Sequence, residues 1–317
     1  MKLNSITTVT LLVFVALLTS VANAQPTCET TFAPVGGNQG DWSEDDNWTA
    51  GEPNSSLVAC IPAGKTAIIP NDGTPYVANA EAVWIKRDGS SRGKVQISNE
   101  STLKLYANSQ VDGELRLIFD ESHLTPQADL TITGNGGQII GGDYANPPET
   151  GTAALVNGSY SLTLECDPGG DGSQSQCVVL KGCVDIQSAL VNNAYVVADD
   201  GDTGPGVHTG NLRLSTNAKS GSGYWIASNN AAEGKIGRMV VDVAVSGAGQ
   251  WLLTTHASAE IIVNAACTGL TGPVTIQKGK LTLNADFDTN GDLNLSWVSG
   301  NRPSINVDEG VVAAFGQ

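Results

Sequence analysis

The chain has 317 residues, with 32 acidic against 16 basic side chains and a net charge of −16. So acidic a surface repels phosphate backbones and anionic lipid, which sets nucleic acid and membrane surfaces aside as partners and leaves cations or plain solubility. At 40% hydrophobic residues it can bury one large core or an elongated stack.

The opening residues read as a secretory signal over 1–24. Lys2 supplies the positive start, Leu11 to Leu18 an unbroken apolar run, and Ala22-Asn23-Ala24 a small-residue cleavage site before Gln25. The run is too short for a bilayer, and no later segment approaches the ~20 apolar residues of a membrane helix. No cysteine follows the cleavage site directly, so no lipid anchor is expected there. The reading is of an exported chain, secreted or at the cell surface, with no membrane span.

From Gln25 onward amphipathic helical periodicity is nearly absent. Short runs of period-two alternation are separated by Gly, Asn, Asp and Ser turns, the pattern of strands with one buried face. In chain order the pairs Val83/Ile85 and Val95/Ile97 lie twelve residues apart, as do Leu103/Leu105 and Leu115/Leu117. Further runs follow at Asp129–Thr133, Ser161–Glu165, Val178–Lys181, Tyr195–Ala198, Asn211–Ser215 and Glu260–Val263. Leu281/Leu283, Leu293/Leu295 and Ile305/Val307 then repeat the interval of twelve. A longer echo joins Ser220-Gly-Ser-Gly-Tyr-Trp225 to Ser246-Gly-Ala-Gly-Gln-Trp251, 26 residues on. A coil of that length contains the twelve-residue step as the distance between two of its strands. The expected fold is all-β, a parallel β-helix (β-solenoid) of stacked coils, each burying its apolar side on its neighbours. Residues 25–62 are assigned to an N-terminal cap and 63–317 to the solenoid. Gly134-Asn-Gly-Gly137 fits a tight coil corner, and Tyr144–Gly158 and Asp199–Gly210 are expected to protrude as loops.

Six cysteines in an exported chain favour disulfides, and the absence of C-x-x-C spacing with only three histidines argues against zinc. The expected pairs are Cys28–Cys60 across the amino-terminal segment, Cys166–Cys177 across a Gly/Ser/Asp loop, and Cys183–Cys267 by elimination. Closing the second loop contributes about 3 kcal/mol in the chain-entropy picture.

The stretch Gly40-Asp-Trp-Ser-Glu-Asp-Asp-Asn-Trp48, then Gly51-Glu-Pro53 and Val58-Ala-Cys-Ile-Pro62, resembles the opening of exported bacterial parallel β-solenoid (β-helix) proteins. Those are autotransporter-passenger-like and pectate-lyase-like in architecture, and the resemblance implies a Trp…Asn-Trp…Gly-x-Pro lead into the first coil. Physically, Trp42 and Trp48 can lie over the open end of the stack as a cap, which blunts unpaired strand edges. Their other use is as a sugar-stacking platform.

Two clusters are candidates for chemistry. Asp288, Asn290 and Asp292 place oxygen ligands at alternate positions, as at the start of a calcium loop, but Leu293 stands where the sharp-turn glycine belongs and Ser299 where a bidentate Glu is needed. A turn whose Asn and Asp side chains cap backbone groups accounts for the same residues. Asp199, Asp200 and Asp202 with His208 form an acidic group beside a histidine, and Arg213 is a candidate base; paired carboxylates perform acid and base work on glycosidic bonds. The Gly-His-Gly element of polygalacturonase-like solenoids is absent, since His208 stands in Val-His-Thr on the same loop as the carboxylates. Glycosylation acceptors stand at Asn47, Asn54, Asn99, Asn157 and Asn294. The expected function is therefore a structural or adhesive module facing an extracellular polysaccharide or cell-surface protein. A polysaccharide lyase or hydrolase on the same scaffold is one alternative, and a calcium-dependent assembly subunit is another. Calcium is the one cofactor these residues suggest.

Overall fold

The computed structural model describes residues 25–118, 121–142, 154–168, 171–199, 209–228, 236–253, 259–296 and 302–316. Among these, almost every ordered segment is a short strand, and the strands pair in parallel between successive coils. Sheets of eight, eleven and ten strands form three faces. Toward the carboxyl end a three-strand sheet takes over the first face, joined to it by the bridges Lys219↔Val245 and Gly247↔Leu270. The chain visits the faces in a fixed order, first, second, third, and then climbs one rung. The fold is a parallel β-solenoid with three strands per coil.

The period-two alternation does the work expected of it. Along Leu130–Gly134 and Thr102–Leu105 every second side chain is buried, and the buried sets of the three faces meet in one continuous core. Each face therefore contributes apolar area in proportion to its inward half, at roughly 25 cal/mol per Å². The twelve-residue interval links two faces of one coil: Leu281 pairs with Ile305 on the third face, while Leu293 lies between them in sequence on the second. A first-face strand, Phe287–Thr289, also intervenes, so the coil has three sides where the repeat alone exposed two. Trp225 and Trp251 are direct rung partners, both buried, so the 26-residue echo is one full coil.

Coil length is not constant. Rung partners on the second face are 16 residues apart from Val179 to Tyr195 and 41 apart from Gln138 to Val179. Parallel pairing constrains only the strands; the corners between them accept insertions. This explains why Trp251 has Val274 as its next partner and not position 277. The loop expected over Tyr144–Gly158 requires correction: Ala154–Val156 is a third-face strand paired with His123 and Leu124, Ala154 and Val156 facing inward. Its Pro, Asn and Gly neighbours hid a three-residue alternation. Residues 144–153 of that loop, and 200–208 of the second, lie outside the described residues. At the glycine-rich corner, a Cβ on Gly137 would stand 1.7 Å from the Val111 carbonyl oxygen, so only glycine lets the two coils stack.

Two disulfides form, Cys28–Cys60 and Cys166–Cys177. The third expected pair does not: Cys183 and Cys267 are not joined. Cys183 immediately precedes the third-face strand Val184–Ile186, whereas Cys267 opens the first-face strand Cys267–Leu270, several rungs further along the stack. Elimination by count ignored that rung separation.

The amino-terminal tryptophans are a cap. Trp42 and Trp48 are buried and pack edge-on at 4.8 Å, with Phe32 5.0 Å from Trp48. The Trp48 Nε1–H donates to the Trp42 carbonyl at 2.8 Å. Buried indoles offer no face to a sugar, which removes the platform reading.

Candidate functional site

The corner between the first and second faces carries a polar groove assembled from four successive coils and the amino-terminal segment. One wall is a hairpin inserted in the corner, Arg87–Asp88 paired antiparallel with Ser91–Arg92. Its Asp-Gly-Ser turn follows from Gly89, whose φ of 57° suits glycine. Arg87 Nε donates to Gly89 O at 2.8 Å, which aims the guanidinium along the groove. The side chain passes over Gly136, where a Cβ would lie 2.8 Å from Arg87 Nη1 and 2.6 Å from Ser175 O. That glycine has φ of 70°, so the site needs it for both backbone and space.

The floor is Gln110, Asp112 and Asn135. Asp112 is fully engaged: its Oδ2 accepts from Trp84 Nε1 at 3.1 Å and from Gln110 Nε2 at 2.8 Å, and its Oδ1 from the Asn135 amide at 2.8 Å. Three donors on one carboxylate hold it in a single orientation. Gln110 is only 4% exposed, so its amide is part of the scaffold as much as of the surface. Trp84 carries the Lys86 ammonium over its ring at 4.1 Å, a cation–π contact that fixes the side of the floor.

The opposite wall is the loop closed by Cys166–Cys177, which contributes Asp167, Ser175 and Gln176. Asp167 N donates to Gln176 O, and Gln176 N to Ser173 O, each at 2.9 Å. Ser173 also donates to the Asp171 carboxylate, and these bonds hold that carboxyl below its usual range. The loop is moored on a tyrosine pair: Tyr195 donates to Gly172 O at 3.0 Å and stacks on Tyr224 at 4.6 Å and 7°. Burial pushes the Tyr195 hydroxyl upward in pKa, so it stays a donor. Gln25 completes the rim.

What results is a rigid set of planar amide, carboxylate and guanidinium groups open to water. Such groups present two polar atoms at the spacing of neighbouring hydroxyls on a sugar ring, and a preorganised polar lining fixes orientation at little entropic cost.

The described residues among the sequence candidates for catalysis and calcium lie outside the groove lining. Asp199 follows the second-face strand Tyr195–Ala198 and is half-buried; Asp200, Asp202 and His208 lie outside the described residues. Arg213 faces out from the third face, with its Nε 2.6 Å from Asp242 Oδ2. That bond raises its already high pKa and keeps the proton on the guanidinium, the opposite of what a base needs. Asp242 continues as a polar ladder through Asn264 and Asn284, each side-chain bond 2.7 Å. Asp288 is exposed within the first-face strand Phe287–Thr289, and Asn290 and Asp292 are exposed on the corner that follows it, where the Asn290 and Gly291 amides donate to Leu270 O and Thr289 Oγ1. Among the described residues no group of three or more His, Cys, Asp or Glu side chains is placed to share a metal ion. Asn47, one glycosylation acceptor, is buried with its amide donating to Asp41 O and Glu44 Oε2.

Sequence reading marked Gln25 as the residue after the cleavage site, Asn135 as part of a glycine corner and Asp167 as part of a disulfide-closed turn, but it did not bring the groove residues together as a site. Arg87, Asp112, Asn135 and Asp167 come from different coils, and unequal coil lengths hide their alignment. The legible hint was local: a short charged hairpin and a disulfide-closed loop, both interrupting the strand pattern. No protein-family model, no curated protein and no solved structure matches this chain.

Proposed function

We propose that the chain is an extracellular or cell-surface structural and adhesive module that holds polysaccharide in the groove between the Arg87 hairpin and the Cys166–Cys177 loop. The observation that carries this reading is the locked polar floor, where Asp112 takes three donors beneath an open channel. Rigid scaffold below and water above is the arrangement that binds a hydroxyl-rich polymer in place without folding around it. The signal-like leader, two disulfides and acidic surface accord with an exterior setting. The likeness of the Gly40–Pro62 opening to exported bacterial solenoids supports the same setting.

The test is retention of the purified mature chain on acidic and neutral polysaccharides, with and without chelator. Retention without cleavage, weakened by Arg87→Ala and by Asn135→Ala, is the expected result. Release of shortened products would replace this reading with a lyase or hydrolase. Retention lost on chelation would point to calcium, and absence of retention on every polymer would end the groove proposal.

A further inference from the structure

Gln25 lines the groove, and it is also the residue that follows the Ala22-Asn23-Ala24 cleavage signature. Cys28, three residues on, is bonded to Cys60 in the strand Ala59–Ile61, and Glu29 and Thr30 both donate to Val58 O. Three residues of extended chain reach roughly 10 Å from that anchor, so a terminus created at Gln25 cannot leave the neighbourhood of the groove. Gln25 itself is exposed. A free terminus there would bring an ammonium to a channel whose facing charges are the Asp112 and Asp167 carboxylates and the Arg87 guanidinium.

We propose that Gln25 is a modification site within the groove: once cleavage frees it, its α-amino nitrogen closes on its own side-chain amide to give a pyrrolidone. The nitrogen attacks Cδ, a C–N bond forms, the Cδ–Nε2 bond breaks, and the α-amino proton leaves with the amide nitrogen as ammonia. No other reactant is consumed. The ring replaces a positive charge with a neutral lactam that has one donor and one acceptor, matching the hydroxyl-binding lining of the rest of the groove. This rests on the export reading and deepens the carbohydrate reading, and the experiment separates the three.

Full-length chain is expressed with its own leader in an exporting bacterial host, and the amino-terminal peptide of the exported protein is weighed. The expected peptide starts at Gln25 and is lighter by one ammonia. A peptide retaining residues before Gln25 overturns the processing step, and an unblocked Gln25 that persists on storage overturns the cyclisation. Placement in the groove is tested on Gln25→Ala, which keeps a free amine that can be titrated by pH-dependent acylation. Two carboxylates against one guanidinium should raise that amine above the ordinary range of about 7.7–8, and Asp167→Asn should return it there. An amine that titrates identically in Gln25→Ala with and without Asp167→Asn overturns the placement. Each of these outcomes is independent of whether polysaccharide is retained.

Discussion

The two ends of the stack solve one problem differently. A solenoid needs something to close its interior and blunt its last strands at each end. At the amino end Phe32, Trp42 and Trp48 fill the opening, Cys28–Cys60 ties them to the first face, and the Asn47 side chain bonds Asp41 O and the Val35 amide. At the carboxyl end the aromatic column Trp251, Phe287, Phe315 runs outward, but Phe315 is only partly buried. Leu295, Val307 and Val312 are 56%, 46% and 65% exposed there. Leu293 and Ile305 are only partly buried against the core, in contrast to their fully buried rung partners Val274 and Leu281. The same alternation in sequence thus gives a closed core or an open rung according to whether another layer lies on top.

The largest effect is expected from Trp42→Ala, which opens a cavity in the cap and should cost about 3–5 kcal/mol, read as lost hydrogen-exchange protection confined to the first coils. Protection that stays unchanged would show that the cap seals nothing. Removing the tether with Cys28→Ser and Cys60→Ser releases a loop of 32 residues and should cost about 4 kcal/mol by the chain-entropy estimate, seen as a lower denaturation midpoint. An equal loss in the carboxyl-terminal coils would mean the stack unfolds as one unit and would blur the comparison.

Between the ends, Lys219 offers a control inside the stack. Its buried ammonium donates to the carbonyls of Ser188 and Ser215, each at 2.9 Å, and to Asn217. Burial pushes its pKa down to about 8, against the pull of the Asp185 carboxylate. The unfolded chain then binds more protons between pH 8 and the ordinary lysine value of 10.5, so stability should rise with pH across that window. Burial also raises the Cys267 thiol to about 11, so the folded chain holds its proton longer and stability falls through pH 9 to 11. Comparing wild type with Lys219→Met isolates the lysine: the difference in stability between the two should change over pH 8–10.5 and be flat below it. A difference that does not vary with pH would assign the Lys219 contribution to packing alone.

The smallest effect belongs to the open end. Leu295→Asn and Val312→Ser should alter stability by no more than about 0.5 kcal/mol, because neither side chain is covered. A loss of several kcal/mol would show that these residues are buried in solution and that the ends are more alike than their exposures indicate.

Much of the architecture was legible from local pattern. Period-two alternation located strands, and the Trp225 and Trp251 echo gave one true coil length. Ala154–Val156 escaped because three residues of alternation among turn formers carry too little signal. The groove was illegible for another reason: Arg87, Asp112, Asn135 and Asp167 are neighbours only after coils of unequal length are stacked in register. Pairing Cys183 with Cys267 failed on the same ground, since counting cysteines carries no rung position.

By itself, then, the sequence determined where the alternating strands lie, that they are short and stack in parallel, and that two tryptophans stand near the amino end, because burial preference acts residue by residue along an extended chain; that those tryptophans are a cap and that Leu295 and Val307 stay exposed came from the structure. Tertiary structure alone decided the three-sided coil, the unequal rungs, which cysteines meet, and the convergence of the Arg87 hairpin, the Asp112 floor and the disulfide loop on one groove. Those depend on how insertions at the corners displace one rung against the next, and parallel hydrogen bonding leaves the corners free.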